Sequence, residues 1–276
     1  MKRRAFRFAP SPNGELHLGH AYSALLNHHL ASECGGRFLL RIEDIDTLRC
    51  TQALAAMALA DLGWLGLQWE LPVRYQSQHL AEYRLQQNSL QRLEVLYPCF
   101  CSRKGIAART GTAVRDPEGQ PTYDGFCKSL SAAAVSRLLE TGQSFALRLD
   151  MAKALTACRR KLRLDPSAWG DVVLVRKDIG TSYHIAVVTD DALQGITDVV
   201  RGRDLEQATS IHILLQSLLG FPVPRYLHHD LITDAAGHKL SKSLHSRALR
   251  SLRDGGVTAA EIRHSLGFDW SKSRKS

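Results

Sequence analysis

The stretch from Arg4 to Ile42 constrains the fold more than any other part of the chain. Arg4 to Ala9 reads as a short strand, broken by Pro10 and Pro12, which fix φ and remove backbone donors. After Asn13-Gly14, the segment from Leu18 to Cys34 has helical character and runs into Gly35-Gly36, a C-terminal stop. Arg37 to Ile42 reads as a second strand. Strand, helix and strand in such quick succession predict a right-handed βαβ unit and therefore a parallel sheet.

Helical patterns follow at Gln52 to Leu62 and Ser77 to Val95. From Cys99 to about Ser129 the texture changes to Gly, Pro, Thr and charge without a long period, which predicts an insertion carrying its own small motif. Strand-like segments return at Phe145 to Asp150 and Val172 to Val175. A buried-looking run follows at Tyr183 to Val188, then strand-like Ile196 to Val200 and Tyr226 to Ile232. Asp204-Leu205-Glu206-Gln207 reads as a capping box opening a helix up to Leu219, where Gly220 and Pro222 stop it. With 276 residues the chain can bury a real core. The expected fold is α/β: a nucleotide-binding parallel sheet split by an insertion, with a small helical C-terminal part.

Lys and Arg number 36 against 27 Asp and Glu, a formal net charge of +9. Such an excess suits a polyanion, nucleic acid first, and equally gives plain solubility. No stretch approaches the ~20 apolar residues of a membrane span, and no apolar signal core follows the basic N-terminus. The expectation is a cytoplasmic protein with no membrane partner.

The six cysteines, at 34, 50, 99, 101, 127 and 158, are too few and too unevenly spaced for a disulfide scaffold. Cys99 and Cys101, at i and i+2, are expected on one face of a strand. Cys127 follows after a loop that can fold back, and three thiolates suit Zn²⁺. The other three cysteines read as buried thiols.

Two motifs carry the chemistry. In Pro10-Ser11-Pro12-Asn13-Gly14-Glu15-Leu16-His17-Leu18-Gly19-His20 a strand ends, a loop turns and a helix begins, with two histidines three apart on one face. A helix N-terminus attracts phosphate, and Gly19 removes a side chain where a flat nucleotide could approach. Alone, the pair also fits two ordinary surface histidines. Lys239-Leu240-Ser241-Lys242-Ser243 sits in a polar loop near the other end. It makes a cationic clamp for a leaving pyrophosphate, although a lysine-rich loop alone is equally a solvated turn.

Together these motifs resemble the HIGH and KMSKS signatures of the class I aminoacyl-tRNA synthetases. Further stretches are similar to the glutamyl branch: Arg7-Phe8-Ala9-Pro10-Ser11-Pro12, Arg41-Ile42-Glu43-Asp44-Ile45-Asp46, Tyr75-Gln76-Ser77-Gln78 and Val200-Arg201-Gly202-Arg203-Asp204. The resemblance runs from about residue 4 to 245. It implies ATP, with Mg²⁺, and formation of an acyl-adenylate. It places His17, Gly19 and His20 on ATP and makes Lys242 the residue that stabilises departing pyrophosphate, with Lys239 as helper. For L-glutamate it implies that Arg7 and Arg201 hold carboxylates and Glu43 faces the ammonium, with Ala9, Ser11 and Tyr183 completing the pocket. Ordinary glutamyl enzymes carry Asn four residues after the pocket tyrosine, where this chain has Val187.

A shortened relative of that branch shows the same C-x-C, Y-x3-C pattern, which implies a structural zinc held by Cys99, Cys101, Tyr123 and Cys127. That subfamily lacks an anticodon-binding domain and transfers glutamate to queuosine in the anticodon loop of tRNA(Asp). The chain is expected to do the same, as a monomer. The alternatives are a minimal glutamyl-tRNA synthetase charging a tRNA 3′ end, and a non-catalytic tRNA-binding paralogue. Expected boundaries are 1–98 and 178–220 for the halves of the catalytic domain, 99–177 for the zinc-bearing insertion, and 221–276 for the KLSKS loop and C-terminal part.

Overall fold

The computed structural model describes residues 3–111, 115–162, 164–232 and 247–268, and in it the opening stretch folds as its spacing dictates. Strand β1 (Ala5–Phe8) leads to α1 (Leu18–Glu33), which returns to β2 (Arg37–Ile42), parallel to β1. The helix stops where Gly35 adopts φ +59, a conformation that suits glycine. At Gly36 a Cβ would lie 2.9 Å from the Arg4 carbonyl, so glycine there lets β2 start tight against the strand entry.

The described residues fall into two compact units. The first takes the chain up to Gln78, Gly195–Glu206 and the chain from Pro224 onward. Besides β1, α1 and β2 it contains α2 (Gln52–Trp64) and β3 (Glu70–Tyr75). The second unit interrupts it with His79–Gln194 and Gln207–Val223. In chain order that unit holds α3 (Leu80–Arg92), β4 (Leu96–Cys99), α4 (Arg103–Thr110), α5 (Ala132–Glu140), β5 (Ala146–Leu149), α6 (Met151–Ala157), β6 (Val173–Val175) and α7 (Tyr183–Leu193). Strand β7 (Asp198–Gly202) belongs to the first unit, α8 (Ala208–Leu218) to the second, and β8 (Arg225–His229), α9 (Leu249–Asp254) and α10 (Ala259–Ser265) to the first again.

The first unit is built on a five-stranded sheet of order β3-β2-β1-β7-β8, parallel throughout. Its inner strands are buried along their length, as parallel strands covered by helices must be. Helix α1 packs on β1, β2 and β7. Phe6, Phe8, Leu25, Leu40, Leu62 and Val200 share one core with Leu249 and Ile262 of the C-terminal helices and with Phe268 beyond them. The second unit carries a three-stranded antiparallel sheet of order β4-β5-β6.

Four expectations change. Of the cysteines outside the cluster only Cys50 is buried, while Cys34 is exposed and Cys158 half-buried. The 204–207 box does not cap a helix: Arg203–Leu205 form a 3₁₀ turn, and α8 begins at Ala208 with Gln207 at its N-cap and no side-chain cap. Strand β4 ends at Cys99, so Cys101 lies beyond it and the two thiols do not share a strand face. His17 is the N-cap of α1 and not a residue within it. Among the described residues, no helix is long and apolar enough to cross a membrane.

Candidate active site

In the sheet order β3-β2-β1-β7-β8 the chain first builds outward from β1 to β3, then crosses to β7 and β8. The crevice between β1 and β7, at the carboxyl ends of the strands, is the topological switch point where open α/β sheets take their ligands. Arg7 sits near the end of β1, Ala9 and Ser11 follow it, Glu43 follows β2, and Arg201 lies near the end of β7. All belong to the first unit. Arg7, Glu43 and Arg201 are buried, and Ser11 is exposed. The Glu43 N–H donates to the Pro10 carbonyl at 3.0 Å, which ties the loop after β2 to the loop after β1.

Buried charges must be paired, and the pairing names a residue to which sequence reasoning gave no role. Arg41, fully buried, donates from Nη2 to Oε1 of Glu43 at 3.2 Å and fixes that carboxylate at the strand end. Its signal was the spacing Arg41-Ile42-Glu43, which sets an arginine at the end of β2 two residues from a carboxylate just beyond it. Arg201 donates from Nη2 to the Leu205 carbonyl at 3.1 Å, and its guanidinium lies 5.4 Å from the centroid of the Tyr226 ring. His228, in register with Arg201 on β8, is held below the usual imidazole range by burial first and then by the charge of Arg201.

The helix that follows β1 opens on the HLGH residues. His17 accepts the Gly19 N–H at Nδ1 (3.1 Å), and His20 accepts the His17 N–H at Nδ1 (3.2 Å). Together they form a capping box in which imidazoles do what Ser and Glu usually do.

Lys239 and Lys242 lie outside the described residues. The chain on either side of them is placed beside α1: His229 packs edge-on against Tyr22 at 5.1 Å, and Ala248 bridges to His17. The Leu249 N–H then donates to the Leu16 carbonyl at 2.8 Å.

Tyr183 belongs to the second unit, where it is the first residue of α7. Its ring lies 5.6 Å from that of His184 and 5.4 Å from that of His212, and those two histidines are joined Nδ1 to Nε2 at 3.2 Å. Val187, on the same helix, is buried.

A separate cluster in the second unit could hold a metal. The Sγ atoms of Cys99, Cys101 and Cys127 all lie within 4.8 Å of one another. A tetrahedral site with Zn–S bonds of about 2.3 Å needs sulfurs roughly 3.8 Å apart, so the three thiols fit such an ion. The Tyr123 hydroxyl stands 3.7 Å from Cys101 Sγ and accepts the Cys127 N–H at 2.7 Å. The Phe100 N–H and Arg109 Nη2 donate to Cys127 and Cys101 Sγ, each at 3.3 Å. Burial pushes the Cys99 thiol up, but hydrogen bonds from Tyr123, Arg148 and the Cys101 backbone outweigh it and hold the thiol below its usual range. Burial, reinforced by hydrogen bonds to the neighbouring thiols, drives the Tyr123 phenol upward.

Comparison with known proteins identifies the family of the chain. Residues 5–262 match the model of the class I tRNA synthetase (E and Q) catalytic domain. A Glutamyl-Q tRNA(Asp) synthetase of Rhodobacter capsulatus is 45% identical over 95% of this chain and 99% of its own length. The protein of that name from Nitratidesulfovibrio vulgaris is 38% identical over 93% of this chain and 83% of its own. Among solved structures, a glutamate-tRNA synthetase from Elizabethkingia anophelis superposes with a TM-score of 0.73 at 27% identity, covering 92% of this chain. The chain spans 54% of the length of that solved protein.

Proposed function

The chain belongs to the class I tRNA synthetases of the E and Q branch, and on that premise we propose that it activates L-glutamate with ATP and transfers it to queuosine of tRNA(Asp). The observation that carries the reading is the placement of Glu43, Arg7 and Arg201 at the carboxyl ends of three neighbouring strands, β2, β1 and β7. Neighbouring strands stand about 4.8 Å apart, so the three ends span roughly 10 Å. Two arginines and one carboxylate across that span suit a molecule with two carboxylates and one ammonium. The shared name and near-complete coverage of the Rhodobacter capsulatus relative support the choice of acceptor.

In this reading Arg7 and Arg201 hold the carboxylates of glutamate, and the Arg41-fixed Glu43 faces its ammonium. A carboxylate oxygen attacks the α-phosphorus of ATP and pyrophosphate leaves. A hydroxyl of the queuosine diol then attacks the acyl carbon and AMP leaves. Both steps are catalysed mainly by positioning and by charge stabilisation. With Nδ1 occupied, each neutral imidazole of His17 and His20 carries its proton on Nε2, a donor for phosphate oxygens. Lys242, with Lys239 as helper, is assigned to the charge on departing pyrophosphate. Mg²⁺ bound with ATP would neutralise phosphate charge. Ala9 and Ser11 complete the amino-acid pocket within the first unit, and the family pattern assigns Tyr183 to glutamate binding as well.

Cys99, Cys101, Cys127 and Tyr123 are proposed to hold one structural Zn²⁺, which would cross-link the segment from β4 to Cys127. The proximity of the three thiols supports this. The proposed setting is the cytoplasm.

Glutamate-dependent ATP–pyrophosphate exchange, with and without tRNA, tests the activation step. Exchange in the absence of RNA is the expected result. Exchange only with tRNA present favours a minimal glutamyl-tRNA synthetase, and none in either condition favours a non-catalytic RNA-binding protein.

A further inference from the structure

We propose that Arg159-Arg160-Lys161, together with the exposed face of α6 that leads into it, is a docking surface for the phosphate backbone of the RNA substrate. The proposal rests on the reading of the chain as a tRNA-modifying enzyme and identifies the surface that reading leaves open. These three residues are the longest run of consecutive exposed basic side chains among the described residues. None forms an ion pair or a side-chain hydrogen bond with a described residue. Many other arginines of this chain are neutralised: Arg37 by Glu70, Arg109 by Asp124, Arg176 by Asp178. Three adjacent uncompensated cations repel one another, a cost that a polyanion removes.

The run is anchored. Ala154 of α6 is buried, α6 packs on α8, and Cys158 lies 3.4 Å from the Ser217 hydroxyl. The helix dipole does not explain the run, because its effect is confined to the last turn. Helix α6 ends at Ala157, and the Cys158 cap is already extended with ψ 111.

Helix α6, which leads into the run, borders an open depression of about 390 Å³ lined by Leu93, Glu94, Ala152, Lys153, Thr156 and Ala157. Ala152, Thr156 and Ala157 leave room for a ribose-phosphate on the α6 side, half-exposed Leu93 offers apolar contact, and the one carboxylate in the lining is that of Glu94. Lys153 adds a fourth cation; its Nζ contacts the backbone carbonyl of Glu94 at 3.4 Å, not the carboxylate. Regularly spaced phosphates match such a surface through counterion release, which makes affinity fall with salt.

The test is direct binding of tRNA(Asp) to the full chain across a salt series. R159E/R160E/K161E is expected to raise Kd at least about tenfold near 0.1 M salt and to lower the slope of log K against log salt by about 2 to 3. Glutamate-dependent exchange without RNA stays unchanged, and R159K/R160K binds like the parent. The neutral R159Q/R160Q/K161Q variant weakens binding several-fold, which decides the matter if charge reversal disturbs folding. Unchanged Kd and slope in both triple variants overturns the proposal, as does polyglutamate competing as well as RNA. Binding is read independently of glutamate transfer, so absent transfer strikes the proposed function and unchanged binding strikes this surface.

Discussion

Nδ1 of His20 accepts the backbone N–H of His17 at 3.2 Å, and Nδ1 of His17 accepts the N–H of Gly19, with the two rings 3.9 Å apart between centroids. The same pair of side chains therefore caps α1 and directs each proton to Nε2. Structure and catalysis can be separated here, because asparagine also caps helices well. His17→Asn is expected to leave the melting temperature nearly unchanged while lowering exchange about 100-fold, the usual scale for removing one preorganised donor. His17→Ala should lose both the activity and about 1 kcal/mol of stability. Full exchange activity in His17→Asn would show that the imidazole is only a cap.

Lys242→Ala is expected to abolish exchange, because Lys242 is the residue assigned to stabilise departing pyrophosphate and Lys239 is assigned only a helping role. Circular dichroism should remain that of the parent. Retained exchange would remove Lys242 from the mechanism.

The cysteine cluster predicts one zinc per chain by elemental analysis of carefully prepared protein. Cys101→Ser should lower metal content and melting temperature together, since a structural zinc contributes its binding energy to folding. Tyr123→Phe, which keeps the ring under Arg148, separates the phenol's role from its packing. Zinc content well below one in the parent sinks the assignment.

Asp198 links the two halves of the sheet. It accepts from Arg4 Nη2 at 2.6 Å and Arg225 Nε at 2.9 Å, and from the Thr197 hydroxyl at 2.6 Å. Burial pushes its carboxyl up, but these hydrogen bonds more than offset that and hold it below the usual carboxylate range. A depressed value means the stabilisation is complete above the unfolded value of about 3.9 and fades as pH falls through the folded one. Asp198→Asn should therefore cost about 1 to 3 kcal/mol at pH 7 by urea unfolding. The gap should shrink below about pH 4. A gap independent of pH would mean that charge is not what Asp198 contributes.

The parallel sheet was legible in the sequence because Pro10, Pro12 and Gly35-Gly36 punctuate β1-α1-β2 so sharply. So was the run at 183–188, whose apolar residues form the buried side of α7. The capping box at 204–207 was not: Asp204 has the right spacing, yet a 3₁₀ turn ends at Leu205 and Gln207 takes the cap. Spacing alone could not show that competition. The thiols of Cys99 and Cys101 came together for a different reason than expected, through the loop beyond β4 and not through a shared strand face. Arg41 was hidden because a buried arginine declares itself only once its carboxylate partner is in place. Local pattern specifies elements well; buried charge pairs depend on which strand ends the topology makes neighbours.

The most direct test of the central claim is incorporation of radiolabelled glutamate into tRNA(Asp) that carries queuosine, beside the same tRNA lacking it. The account predicts ATP-dependent labelling of the queuosine-bearing tRNA alone. Equal labelling of both, released from the 3′ terminal nucleoside, would contradict it and make the protein a minimal glutamyl-tRNA synthetase.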